Sequence, residues 1–202
     1  PGLILDCPVF SGYFSNENPK VDLRLRLRNT GEVITDLLRF DADLGLIEGQ
    51  CHESRLESET WCEDQLVIVC SPQHPLAQKK RLDDIDLGAA PWILRELGSG
   101  TREIFEAAIL HHVERLQVRM ELSQHEAIKQ AVIAGLGLGC LSYRSVVGEL
   151  ERGELVSMQS GLELSRIFSL VWHPERYRSP LWQAFKVFLI ESHGHSPKPG
   201  KQ

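Results

Sequence analysis

Three predicted helix starts in this sequence carry small hydroxyl side chains: Thr30, the loop Ser99-Gly100-Thr101, and Ser123. The first turn of a helix has backbone N–H groups without a partner and the positive end of the helix dipole, so it attracts carboxylates and other small anions. Gly100 adds to this effect, because a residue without Cβ lets the backbone approach a ligand closely. The alternative explanation for each start is ordinary helix capping, for which Ser and Thr are favoured.

No catalytic motif accompanies these groups. The sequence lacks a Gly-x-x-x-x-Gly-Lys-Ser/Thr loop, a Gly-x-Ser-x-Gly elbow and a His-Glu-x-x-His pair. The run Gly135-Leu-Gly-Leu-Gly139 follows a predicted helix and enters a predicted strand, whereas a nucleotide-binding run follows a strand and opens a helix. We interpret this run as a helix cap followed by tight strand packing. The sequence therefore predicts a protein that is not an enzyme and holds no cofactor.

The cysteines and histidines do not have the spacing of a metal site. Five cysteines are spread along the chain, and Cys51-His52 with Cys62 lacks the paired spacing that closes a zinc shell. His111 and His112 are neighbours on a predicted helix, where their side chains point about 100° apart. We predict reduced thiols and no bound metal.

Charge and hydropathy exclude two further classes of partner. Subtracting 28 acidic from 22 basic residues leaves a net charge of −6, so this chain is not expected to bind DNA by itself. Its longest apolar runs, such as residues 66–70, fall far short of the roughly 20 residues that a membrane helix needs. No signal peptide opens the sequence, and we expect a cytoplasmic protein.

Strand and helix signals alternate, which predicts an α/β fold with a mostly parallel sheet. The apolar run over residues 66–70 predicts a strand buried on both faces. Alternation over residues 21–28 predicts a strand with one polar face, which lies either in solvent or at an interface. Further strands are predicted at 43–47, 92–94, 118–122, 136–142, 155–158 and 167–172.

Predicted helices follow the hydroxyl-bearing starts. Their apolar stripes include Val33 to Leu38 and Ile104 to His112. Ser123 and Glu126 predict a capping box that opens a helix through Ala134, with Gly135 as its C-terminal cap. A short helix is expected at 146–151, and Pro180 begins the last one.

Five segments, in this order and spacing, resemble the effector-binding region of LysR-type transcriptional regulators. They are 43–49 (DLGLIEG), 61–77 (WCEDQLVIVCSPQHPLA), 92–102 (WILRELGSGTR), 126–139 (EAIKQAVIAGLGLG) and 149–155 (ELERGEL). The resemblance spans nearly the whole chain. It implies two Rossmann-like lobes, similar to type 2 periplasmic binding proteins, with two strands that cross between them near 66–69 and 167–171. The first lobe would comprise 1–66 plus 167–193 and the second 67–166, before a disordered tail at 194–202.

The resemblance also implies a function: the chain would be the ligand-sensing domain of a DNA-binding regulator, and a small anionic effector between its lobes would control transcription. Carried over position by position, the effector site comprises Asn29, Thr30, Glu48, Ser99, Gly100, Thr101, Ser123 and Gln124. The family pairs such domains side by side, so a homodimer or homotetramer is expected.

Two features depart from the family pattern. The family's N-terminal helix-turn-helix is absent from this sequence, so we expect DNA contact only through a segment outside it. The family's region also begins with a strand and a Ser/Thr-bearing loop, whereas residues 1–10 resemble the helix that follows, and either Pro1 or Pro8 matches its first residue. The alternative function on the same fold is a solute-binding protein of a transporter.

Overall fold

Helices and strands alternate along the part of the chain that the computed structural model describes, which comprises Phe14, Asn16, Asn18 and residues 21–192. The predicted tail and the alignment of Pro1 and Pro8 lie outside these residues. The strands are β1 (Gly45–Glu48), β2 (Glu57–Cys70), β3 (Pro91–Arg95), β4 (Gln117–Leu122), β5 (Leu138–Ser142), β6 (Val156–Met158) and β7 (Ser165–Trp172). The α-helices are α1 (Thr30–Leu38), α2 (Asp84–Ala89), α3 (Gly100–Ile109), α4 (His125–Ile133), α5 (Tyr143–Glu151) and α6 (Pro180–Ser192), and a 3-10 turn lies at Pro75–Gln78.

The long strand β2 joins two groups of strands. Residues 57–65 of β2 pair with β7, which pairs on its other side with β1. From Leu66 onward, β2 pairs with β5 and β6, and β5 continues through β3 to β4. We call the first group, with α1 and α6, lobe 1, and the second group, with α2 to α5, lobe 2.

The expectation of a mostly parallel sheet is wrong, because most of the described strand pairs are antiparallel. Only β3 with β4 and β3 with β5 are parallel among the described pairings. The reason is that β2 and β7 run in opposite directions and pair with each other. From Ser165 onward, β7 pairs with β2 on one side and with β1 on the other.

The strand predicted over residues 21–28 is also wrong. These residues have no regular secondary structure, and no described strand pairs with them. Leu25 and Leu27 are 45% and 62% exposed, so the alternating pattern does not correspond to a buried face. A strand needs a neighbouring backbone for its hydrogen bonds, and the sequence pattern alone cannot provide one.

Each lobe has its own apolar core. In lobe 2, the rings of Trp92 and Phe105 lie 4.6 Å apart and are fully buried. In lobe 1, α6 packs against β2, where the Trp61 indole donates a 2.7 Å hydrogen bond to the carbonyl of Leu189. Pro180 begins α6 as predicted. Burying a large apolar side chain contributes about 1.5–3 kcal/mol, so these clusters fix the strands that carry the polar residues between the lobes.

The interpretation of the glycine run is confirmed. Gly135, with a φ of 76°, follows the last residues of α4. Gly137 lies so close to Pro91 that a Cβ would be 2.2 Å from its carbonyl oxygen, and β5 begins at the next residue. The run therefore ends a helix and packs a strand.

Candidate ligand site between the lobes

The start of α3 in lobe 2 meets the end of β1 in lobe 1. The backbone N–H and the hydroxyl of Thr101 both donate to Oε2 of Glu48, over 3.0 and 2.6 Å. Thr101 is 2% exposed and Glu48 is 7% exposed. The helix start that the sequence predicts as an anion-binding group therefore holds a carboxylate, and the protein itself supplies it.

Gly100 and Ser99 shape this helix start. A Cβ at Gly100 would lie 2.3 Å from the carbonyl oxygen of Glu48 and 2.9 Å from Oγ1 of Thr30, so only glycine allows the two lobes to come this close. Ser99 precedes α3, but its hydroxyl makes no capping hydrogen bond. This hydroxyl is buried and has no hydrogen-bond partner within the described part of the chain. The alternative explanation of side-chain capping by Ser99 is therefore wrong here.

Arg166, on β7, connects the same carboxylate to the crossover strands. Its Nη1 lies 3.0 Å from Oε2 of Glu48 and donates to the Thr101 hydroxyl over 2.8 Å. Its Nε and Nη2 lie 2.8 and 2.7 Å from Oδ2 of Asp64, on β2. Ser142 completes the group by donating to Oδ1 of Asp64 over 3.0 Å. The Arg166 side chain is completely buried, and the two carboxylates offset the cost of burying its charge.

The electrostatics of this group favour an ionised Glu48. Burial would raise the pKa of Glu48, but the Arg166 guanidinium and the Thr101 hydroxyl lower it more, so the pKa lies well below its ordinary value. The Glu48 carboxylate occupies the position next to Thr101 and Arg166. A second anion can enter this position only by separating Glu48 from its partners.

A second set of contacts crosses between the lobes beside α1. Asn29 caps α1 through a reciprocal capping box with Glu32, over 2.9 and 3.0 Å. The Asn29 amide also donates to Glu96 of lobe 2 over 3.3 Å. Next to it, the Gly31 N–H donates to the Gly98 carbonyl over 3.2 Å. Asn29 therefore caps α1 and also contacts the other lobe.

The third helix start, at α4, differs from its prediction. Ser123 and Gln124 are both exposed, and α4 begins at His125 with Gln124 as an N-cap that makes no side-chain hydrogen bond. The predicted capping box of Ser123 with Glu126 is wrong, because Ser123 lies one residue too early. Glu126 pairs with Lys129 instead.

His125 is the buried residue of this third start. Nη1 of Arg95 lies 2.7 and 2.8 Å from the two ring nitrogens of His125. Burial and the Arg95 guanidinium lower the pKa of His125 well below its ordinary value, so the ring is neutral. Arg95 pairs in turn with Glu96, and this pair links His125 to the contact that Asn29 makes.

The sequence reasoning missed several residues of the site. They are Asp64, Arg95, Glu96, His125, Ser142 and Arg166. A usable signal existed for Arg166, which is the one charged residue of the largely apolar strand β7. A charged residue is seldom buried unless it is paired.

The remaining histidine, cysteine and acidic side chains do not form a metal site in the described part of the chain. No group of three His, Cys, Asp or Glu side chains among the described residues is arranged to hold a metal ion. His112 lies beyond the end of α3 and contacts Asp84.

Burial raises the pKa of the Cys62 and Cys140 thiols to about 12. No helix among the described residues is long and apolar enough to cross a membrane.

A fold with two lobes joined by crossover strands, and a polar site between them, defines a class of ligand-binding domain. The LysR substrate binding domain family matches residues 11–194. The chain therefore belongs to this family, whose regulatory domains have the type 2 periplasmic-binding-protein-like fold.

The relatives of this chain are transcriptional regulators. The uncharacterized HTH-type transcriptional regulator YeiE of Escherichia coli strain K12 is 38% identical over 90% of this chain and 61% of its own length. The HTH-type transcriptional regulator CysL of Bacillus subtilis is 36% identical over 83% of this chain and 54% of its own length. The chain thus spans about three fifths or less of these two relatives. They favour the regulator prediction over the transporter alternative.

A solved structure gives the same picture of the fold. The regulatory domain of Synechocystis PCC6803 CcmR, in complex with 2-PG, is similar to this chain with a TM-score of 0.85 and 26% identity. The similarity covers 98% of this chain and 95% of that chain.

Proposed function

We propose that this chain senses a small anionic effector that binds between its two lobes and performs no chemistry on it. The observation that carries the proposal is the start of α3, where two donors of Thr101 point at one carboxylate oxygen between the lobes. A helix N-terminus joined by a buried guanidinium is a strong arrangement for binding an anion. The complex of the related CcmR domain with 2-PG supports a small-molecule effector.

The effector site proposed here comprises the residues carried over from the family. Thr30, Glu48, Ser99, Gly100 and Thr101 form its centre, and Asn29 borders it through Glu96. Ser123 and Gln124 belong to its rim, because both are exposed. The proposed moving bodies remain 1–66 plus 167–193 and 67–166.

The output of sensing is proposed at the level of the whole regulator. A ligand shifts an equilibrium between lobe arrangements only by its differential affinity for them. In a cytoplasmic homodimer or homotetramer, such a shift would alter how helix-turn-helix segments outside this chain meet DNA. Sedimentation of the chain as a strict monomer at high concentration would contradict the oligomer proposed here.

The test compares two substitutions at Thr101. A thermal-shift screen of small carboxylic and phosphorylated acids identifies a ligand, and calorimetry then measures its Kd. Thr101→Val removes the hydroxyl and is expected to weaken binding by at least about tenfold, as the loss of a hydrogen bond to a charged group costs about 1.5–3 kcal/mol. Thr101→Ser keeps the hydroxyl and is the matched control. Equal affinity in all three proteins would contradict the site.

A further inference from the structure

We propose that Glu48 is an internal competitor of the effector: its carboxylate occupies the position that the anionic group of the effector takes on binding, and the effector displaces it. This inference rests on the proposed function. We call this place the anion position and define it by three donors, which are the N–H and the hydroxyl of Thr101 and Nη1 of Arg166.

The anion position brings three polar groups to a single point. All three donors lie within 2.6–3.0 Å of one atom, Oε2 of Glu48. None of them selects a glutamate side chain over any other carboxylate, because two belong to the start of a helix and one to a guanidinium. A ligand carboxylate at the same point would make the same three contacts.

The same helix start carries a second buried hydroxyl, that of Ser99, two residues before Thr101. Ser99, the residue before α3, is 1% exposed, and its hydroxyl has no hydrogen-bond partner among the residues described. A buried polar group without a partner is costly, so such groups are rare in folded proteins and mark functional sites. A ligand with more than one oxygen atom can reach a donor that the single Oε2 of Glu48 does not satisfy.

The contact between Glu48 and Thr101 also joins the two lobes. Glu48 ends β1 in lobe 1, whereas Thr101 lies in the first turn of α3 in lobe 2, and Arg166 is the second residue of β7. The Glu48 carboxylate therefore holds the lobes together in this conformation. An effector that takes its place removes one contact between the lobes and substitutes its own, which couples binding to the lobe arrangement.

The competitor role predicts the sign of one substitution. Two carboxylates cannot share the anion position, because like charges at this distance repel strongly. Removing the charge of Glu48 should therefore strengthen the binding of an anion. If Glu48 instead bound a cationic or hydroxyl group of the effector, the same substitution would weaken binding.

The experiment uses acetate as a probe of the anion position. Glu48→Ala removes the carboxylate and leaves a space of about the size of acetate. We expect acetate to raise the melting temperature of Glu48→Ala and to bind it at least about tenfold more tightly than the wild type, since like-charge repulsion is gone. Sodium chloride at equal ionic strength is the control for screening, and Glu63→Ala, which removes an exposed carboxylate of β2, is the matched variant.

Two further variants keep the test decisive. Adding Thr101→Val to Glu48→Ala should abolish the acetate effect. If Glu48→Ala does not fold, Glu48→Gln preserves the side-chain shape, and acetate should bind it more tightly than the wild type because a neutral amide competes less. Equal acetate affinity in wild type and Glu48→Gln would overturn the competitor role while leaving the site in place. An effector whose affinity does not depend on Thr101 would overturn the proposed function itself.

Discussion

The starts of α3 and α4 carry similar sequence signals, yet they differ in the structure. Thr101 at the start of α3 is buried and bonded to residues of the other lobe. Ser123, just before α4, is exposed and does not cap its helix. The difference is that α3 lies opposite the end of β1, and Gly100 permits that close approach. A hydroxyl at a helix start therefore indicates a binding site only where another element lies against it.

The largest loss of stability is expected when the buried ion pairs of Arg166 are removed. Arg166→Met removes the buried guanidinium that pairs with Glu48 and Asp64, and removing one partner of a buried pair costs about 3–5 kcal/mol. Urea unfolding should report this loss. Arg24→Met is the control, because Arg24 is exposed and its ion pair contributes less than about 1 kcal/mol. A loss below about 1 kcal/mol for Arg166→Met would contradict the buried network.

The next effect tests the close approach at Gly100. Gly100→Ala places a methyl group 2.3 Å from a backbone oxygen of Glu48, which cannot move as a side chain can. We expect a loss of about 1–3 kcal/mol, measured by thermal unfolding. Gly31→Ala in α1 is the matched control, since its Cβ would meet nothing closer than 3.6 Å and the helix should gain up to about 1 kcal/mol. Equal changes of stability in Gly100→Ala and Gly31→Ala would contradict the close approach at Gly100.

Part of the fold was predictable from local sequence patterns. Local patterns correctly predicted the start of α6 at Pro180, the strand at residues 66–70 and the glycine run. They failed at residues 21–28, where a strand pattern has no partner among the described strands.

The site was predictable only in part for a related reason. The hydroxyl of Thr101 was visible as a helix-start signal, but its partners lie 53 and 65 residues away along the chain. Hydrophobic periodicity has a range of a few residues, so it cannot pair Glu48 with Thr101 or identify Arg166 as their common partner. Long-range polar pairing follows from the tertiary fold.

A smaller effect is expected from pH. The folded-state pKa of Glu48 lies below its ordinary value of about 4.3, so the unfolded chain takes up a proton that the folded chain does not as pH falls. The stability that Glu48 contributes is complete above about pH 5 and is lost progressively below it. Glu48→Gln should therefore show a shallower loss of stability than the wild type between pH 5 and 3. If stability falls with pH equally in the wild type and in Glu48→Gln, the Glu48 carboxylate does not contribute to this loss.

The smallest effect is expected at α4. Ser123→Ala should change stability by less than about 0.5 kcal/mol, because the side chain is exposed and does not cap the helix. Thermal unfolding of this variant beside Thr101→Val compares the two helix starts directly. A loss at Ser123 as large as that at Thr101 would show that burial does not separate them.

We propose above that an anionic effector binds at the start of α3, between the lobes. The most direct measurement is the change in backbone amide NMR shifts when the acid found by the screen is titrated into the chain. We predict the largest change at the N–H of Thr101, which exchanges the Glu48 carboxylate for the ligand. Changes concentrated at residues 123–125, with the Thr101 amide unmoved, would contradict the account.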